Sequence, residues 1–105
     1  MLGMYRQGDV LMVSVDAIPA DAVLVPTDSG RVVVAYGEAT GHAHALAPAD
    51  AQLFDSRRGQ FLRVSGSQGA ALVHDEHDTI LLPPGDYEVV RQREYAPEQI
   101  RQVTD

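Results

Sequence analysis

The chain has 105 residues, no cysteine, and 15 acidic residues against 8 basic ones, for a formal net charge of −7. This length sets a single domain, residues 1–105. The missing thiols exclude disulfides, thiolate zinc sites and iron–sulfur clusters, and the acidic balance argues against nonspecific binding to nucleic acid or to an anionic membrane. The start, Met1-Leu2-Gly3-Met4-Tyr5-Arg6, lacks the apolar core of a signal peptide, and no apolar run reaches the roughly 18 residues of a membrane span, so a soluble cytoplasmic protein is expected.

The first predicted element covers residues 9–16, Asp-Val-Leu-Met-Val-Ser-Val-Asp, bounded by Gly8 and by Ile18-Pro19. Its unbroken apolar, β-branched character reads as a strand buried on both faces and places it at the sheet centre. Residues 20–26 continue extended between Pro19 and Pro26, and Thr27-Asp28-Ser29-Gly30 is a turn by composition. Residues 31–36 form a second strand, after which Gly37 and Gly41 loosen the backbone. The alanine-rich stretch 47–52 fits either a loop or one helical turn.

Leu53-Phe54 and Phe61-Leu62-Arg63-Val64 flank Asp55-Ser56-Arg57-Arg58-Gly59-Gln60, which is a hairpin signal with Arg57 and Arg58 solvated at the tip. Residues 65–69 make a polar turn, residues 70–74 a strand, and residues 79–82 a further extended piece. Pro83-Pro84-Gly85-Asp86 is a tight turn. From Tyr87 to Tyr95 the pattern alternates, with Tyr87, Val89, Arg91, Arg93 and Tyr95 on one face of a long half-exposed strand. Pro97 opens a short C-terminal helix docked by Ile100 and Val103. The expected fold is all-β, a single small barrel or sandwich of about seven short strands with that terminal helix.

All four histidines fall in two tight clusters, His42 and His44 around Ala43, and His74 and His77 around Asp75-Glu76. Imidazole is the commonest transition-metal ligand and titrates near neutral pH. In a strand His42 and His44 project from one face, about 7 Å apart, which suits two ligands on one ion. His74 and His77 lie on opposite faces of a regular strand and converge only if the chain turns at Asp75-Glu76. Glu38, Asp75, Glu76 and Asp78 stand close by in sequence, ready to complete a shell or to orient the imidazoles. Nitrogen and carboxylate donors of this kind suit zinc, iron, manganese or nickel. No serine or threonine lies in a recognisable nucleophile setting, so no catalytic residue is assigned and whether the protein is an enzyme stays open.

His42-x-His44 followed by Pro83-x-Gly85 resembles the two motifs of the cupin superfamily. The resemblance implies a small β-barrel whose first motif supplies two histidines and a glutamate and whose second supplies a further histidine. This chain has Pro48 and Ala49 where the glutamate would stand and Glu88 where the last histidine would stand. His74 and His77 have no place in that scheme. The wider pattern, Tyr-Arg-Gln-Gly-Asp-Val from Tyr5, Gly-Glu-Ala-Thr-Gly-His-Ala-His from Gly37 and Arg-Gln-Arg-Glu-Tyr from Arg91, resembles small uncharacterised bacterial proteins and implies no activity.

Tyr5-Arg6-Gln7 and Arg91-Gln92-Arg93-Glu94-Tyr95 share an aromatic, arginine and glutamine character, which reads as a decorated strand face with a binding patch as the alternative. Homo-oligomerisation that closes edge strands, with a metal shared between subunits, would account for two short histidine pairs. The leading expectation is therefore a β domain that binds one divalent transition metal through His42, His44, His74 and His77. The alternatives are a metal-free accessory module that docks on a protein partner through an exposed strand, and a proton-linked switch.

Overall fold

The computed structural model describes residues 3–37 and 42–91, and these are all-β. Ten strands follow in chain order: β1 Met4–Gln7, β2 Val10–Val15, β3 Val23–Leu24, β4 Val32–Tyr36, β5 Ala43–Leu46, β6 Ala51–Ser56, β7 Gly59–Val64, β8 Ala70–Leu72, β9 Ile80–Leu82 and β10 Gly85–Arg91. Six of them form one sheet in the order β1-β2-β10-β7-β6-β3, while β4-β5 and β8-β9 form separate two-stranded ribbons. Among the described residues the strands number ten instead of about seven, and they make several sheets instead of a closed barrel. The helix expected from Pro97 lies outside the described residues.

The sheet follows from local hairpins. Gly8 and Asp9 turn β1 onto β2, with Gly8 at φ +58°, a conformation that costs glycine little. The β6–β7 hairpin is tighter than its composition suggested: pairing runs out to Ser56 with Gly59, so that Arg57 and Arg58 alone form the exposed tip. Ser56 Oγ donates to Gly59 O at 2.9 Å and accepts from Arg58 N at 3.1 Å, which ties that turn. The strand expected at the centre, β2, is instead flanked by β1 and β10, and only Val10 and Met12 within it are fully buried. One of its faces meets the core and the other does not, so the alternation of a one-sided sheet replaces burial on both faces.

Register defines the inner face, because directly paired residues share a side. One row across the sheet reads Ser14, Tyr87, Leu62, Leu53, and the next reads Tyr5, Met12, Val89, Gln60, Asp55. A third, nearer the open ends of β1 and β10, reads Gln7, Val10, Arg91. The inner face is thus apolar along most of its length and turns polar at one end. Met12, Leu62, Leu72 and Leu82 are each 0% exposed and form the middle of the core with Val34, Leu46, Leu53 and Val89. Tyr87 packs edge-on to Tyr5 at 5.9 Å and donates its hydroxyl to Pro83 O at 2.6 Å. On the outer face Arg63 lies over the Phe54 ring and pairs with Asp86 at 3.1 Å.

The two ribbons cap the inner face. Every residue of β5 is buried, since β4 pairs with one of its edges and Ala45 makes a two-bond bridge to Val73 on the other, at 3.0 and 2.9 Å. The β4–β5 register shifts between Val33 and Ala35, so Val34 is an extra residue whose carbonyl leaves the ladder. That carbonyl accepts from Arg91 Nε at 2.9 Å, which ties the ribbon to the polar end of the sheet.

Candidate functional site

The polar end of the inner face and the bulged ribbon enclose a cleft of about 920 Å³. Arg91, Gln60 and Asp55 line it from the sheet, Tyr36 from β4, and all four histidines stand along it. Arg91 bonds both Val34 O and the Gln60 side-chain oxygen, so its guanidinium is held in one orientation at the cleft floor.

The four imidazoles reach this cleft from two distant segments. His44 lies inside β5, opposite Ala35 at the register shift, and is 5% exposed. His42 precedes β5 and is partly exposed. His74 follows the Ala45–Val73 bridge and is 8% exposed, and after a bend at Asp75-Glu76 the exposed His77 returns toward it. The turn on which convergence of His74 and His77 depended is therefore present. Ring centroids lie 4.3 Å apart for His44 and His74, 4.7 Å for His74 and His77, 5.8 Å for His44 and His77, and 5.8 Å for His42 and His74. His42 stands one residue before β5, its carbonyl accepting from Gly37 N at 2.9 Å, and both His42 and His44 meet His74.

Close approach of backbone holds the cluster together. A side chain at Gly8 would place its Cβ 2.6 Å from His77 Nε2, and one at Gly37 would fall 2.9 Å from His42 Cβ. Gly37 lacks room for a side chain, whereas at Gly8 the neighbour is the tip of the exposed His77 ring and the φ of +58° is what favours glycine. Asp75 and Glu76 approach His42 at 3.6 and 3.8 Å. Glu76 N–H donates to His74 Nδ1 at 3.0 Å, and Gln7 bonds His44 Nδ1 at 2.9 Å. Of the other carboxylates expected near the histidines, Asp78 contributes its backbone carbonyl to Gln7, and Glu38 lies outside the described residues. Among the described residues no group of three or more His, Asp or Glu side chains is arranged, as it stands, to hold one metal ion.

At the outer lip Tyr36 donates to Asp28 in a short hydrogen bond. This bond, together with that from Ser29, holds the Asp28 carboxyl below its ordinary range, and the same contact with Asp28 pushes the Tyr36 hydroxyl up. In the core, burial raises the Tyr87 hydroxyl, and neighbouring Tyr5 adds to the effect.

A family model described as Domain of unknown function (DUF8820) matches residues 6–92. The chain belongs to the DUF8820 family. The matched span of this DUF8820 domain takes in the whole six-stranded sheet apart from the first residues of β1, both ribbons and all four histidines. No curated protein and no solved structure matches the chain. No cupin family accompanies the DUF8820 match, so the cupin resemblance is without support. The strands argue in the same direction: Glu88, at the position of the second-motif histidine, pairs with Phe61 and Val13 on the outer face, away from the cleft.

Sequence reasoning found the histidines and missed Gln7, which it assigned to a decorated strand face. The available signal was register. Tyr5 and Gln7 alternate with the exposed Met4 and Arg6, and a glutamine at an inward position of an edge strand needs buried partners. Arg91 was noticed as part of a surface patch, whereas it lines the cleft.

Proposed function

We propose that this cleft binds one divalent transition-metal ion, of the zinc, iron, manganese or nickel type, through imidazoles of the cluster with Asp75 or Glu76 completing the shell. The observation that supports it is the gathering of all four histidines from two distant segments, with ring centroids 4.3 to 5.8 Å apart. Two imidazoles sharing one ion at ordinary metal–nitrogen distances have centroids roughly 5 Å apart, so the rings already lie at that scale. Metal binding would require the more exposed rings, His42 and His77, to rotate so that their nitrogens face the ion. The cleft beside them has room for water or a small oxygen-bearing ligand, and a metal held there with an open position would supply activation of water instead of serving structure alone.

A second reading has its own support. The edges of the main sheet carry exposed apolar side chains, Met4 at 65% on β1 and Val23 at 67% on β3, and such edges suit docking on a protein partner or a second copy of the chain. That reading predicts unchanged folding and assembly after chelation.

Elemental analysis of the protein purified without an affinity tag separates the two, alongside His42→Ala/His44→Ala and the milder His42→Ala/His77→Ala. Near-stoichiometric metal in the wild type, lost in both variants, is expected. Metal-free wild-type protein that also takes up none on titration refutes the metal reading.

A further inference from the structure

Among the described residues four strand edges are open. These are β1 and β3 on the six-stranded sheet and β4 and β9 on the ribbons, because β5 and β8 meet at the Ala45–Val73 bridge. Backbone pairing with a further strand is limited at three of them. β1 presents the exposed Arg6, and β3 has only two residues, with Pro19 and Pro26 close on either side. β4 is bulged at Val34, whose carbonyl is taken by Arg91. β9, Ile80-Leu81-Leu82, has no charge, no proline and no bulge, and Leu81 is 62% exposed.

The bridge fixes where the free backbone groups of β9 point. Val73 exchanges both backbone bonds with Ala45, so its N–H and C=O face β5. Successive residues of a strand turn these groups to opposite sides, so those of Leu72 and Ala70 face β9 and meet their partners Ile80 and Leu82. Leu81, opposite Ala71, therefore turns its N–H and C=O out of the edge, where no described residue bonds them. Its side chain lies with Ala71 on the outer face of the ribbon, since Leu72 and Leu82 point into the core. Val73, 47% exposed, follows Ala71 on that face.

We propose that β9 pairs with β9 of a second copy of this chain, antiparallel about a two-fold axis at Leu81. Any strand can be added to an open edge, and symmetry singles out the second copy. With Leu81 on the axis, the Leu81 N–H of each copy donates to the Leu81 carbonyl of the other, and Ile80 stands opposite Leu82. The same three residues thus serve both sides, the self-complementarity that a two-fold interface requires. The two Leu81 side chains become direct cross-strand neighbours, which removes an exposed leucine from water in each copy and joins the two apolar outer faces.

Charge permits contact at this edge. Two chains of formal net charge −7 repel one another, but residues 69–73 and 79–85, which contain both strands of the ribbon, carry no charged side chain. In the paired register Asp78 stands opposite Pro84 of the second copy, not opposite another carboxylate. The ladder ends soon beyond the axis, because Pro83 has no N–H and its carbonyl already accepts from Tyr87. The contact is accordingly short and the dimer weak, at the small end of interfaces, below about 1,200 Å² buried. Nothing in this pairing involves the histidine cleft, so the proposal stands or falls separately from the metal reading.

The test is sedimentation velocity of the full-length chain in EDTA, from about 10 μM to about 1 mM, a range that covers a weak equilibrium. Amide exchange at Leu81 is followed by NMR over the same concentrations. A monomer–dimer equilibrium is expected, with exchange at Leu81 slowing as the dimer fills. Leu81→Lys sets two ammonium groups side by side on the axis. Leu81→Pro removes the outward N–H and leaves the bonds between β8 and β9 in place, the edge position where proline is tolerated. Both variants should be monomeric throughout with circular dichroism like that of the wild type. A wild type that is monomeric at the highest concentration overturns the proposal, as does a dimer that persists in folded Leu81→Lys or forms only on addition of zinc. If Leu81→Pro does not fold, Leu81→Lys and the wild-type exchange decide.

Discussion

Along β10, β7 and β6 the same face changes character within a few residues: Tyr87 and Val89 give way to Arg91, Leu62 to Gln60, and Leu53 to Asp55. The apolar part and the polar part share one hydrogen-bonded ladder, yet they are held in place differently. The apolar part is fixed by packing, which is non-directional and summed over many contacts. The polar part is fixed by a few directional bonds: Gln7 to Leu72 O, Asp78 O and His44, and Arg91 to Val34 O and Gln60. Stability should therefore reside in the first region and the geometry of the histidine site in the second. Substitutions in the two should separate these properties.

The largest loss of stability is expected from Leu62→Ala. Leu62 is 0% exposed between Tyr87 and Leu53 in the central apolar row, and truncation there should cost about 2–5 kcal/mol by urea unfolding. A loss below ~1 kcal/mol would mean that the apolar rows do not carry the fold. Gln7→Leu should cost less, about 1–3 kcal/mol from carbonyls and an imidazole left without partners, with faster amide exchange confined to residues 73–79. Exchange spread equally over β2, β7 and β10 would erase the distinction between the regions.

His77→Ala sharpens the comparison from the other side. His77 is exposed, so stability should change by no more than about 0.5 kcal/mol while zinc affinity measured by titration calorimetry falls about 10-fold or more.

Two tyrosines extend the contrast into pH. Burial raises the Tyr87 hydroxyl, so the folded chain keeps this proton at a pH where the unfolded chain has lost it. Its contribution is complete below the ordinary tyrosine value and is lost as pH rises through the folded one. Urea midpoints should fall more steeply above about pH 10 in the wild type than in Tyr87→Phe. The smallest effect belongs to the exposed lip. The hydrogen bond from Tyr36 depresses Asp28, so its contribution is present above the ordinary aspartate value of 3.8 and is lost as pH falls through the lower folded value. Tyr36→Phe should move the Asp28 carboxyl titration upward in NMR, with no measurable change in the cleft.

Much of the sheet was legible in the sequence. The β-branched run at 9–16, the turn residues at 27–30 and the hairpin around Arg57-Arg58 each carry a local signal that survives into the fold, while the turn expected over 83–86 narrows to Pro83-Pro84 because β10 begins at Gly85. Two short strands carried weaker signals. Met-Tyr-Arg-Gln in β1 shows no apolar alternation, and Ala-His-Ala-Leu in β5 has weak strand preference, its burial imposed by partners on both edges. The positions of the histidines were equally plain, but their meeting was not. It depends on the bridge from Ala45 to Val73 and on the register shift at Val34, pairings between distant segments that no sequence period encodes. Gln7 was hidden for the same reason, because its partners, two backbone carbonyls and the His44 ring, lie far along the chain.

The most direct test of the account is a crystal structure of the DUF8820 domain grown with zinc, with anomalous data collected at the zinc edge. The account predicts one anomalous peak in the cleft, at bonding distance from imidazole nitrogens of the histidine cluster and beside Asp75 or Glu76. A cleft with no anomalous peak after growth in zinc would contradict it.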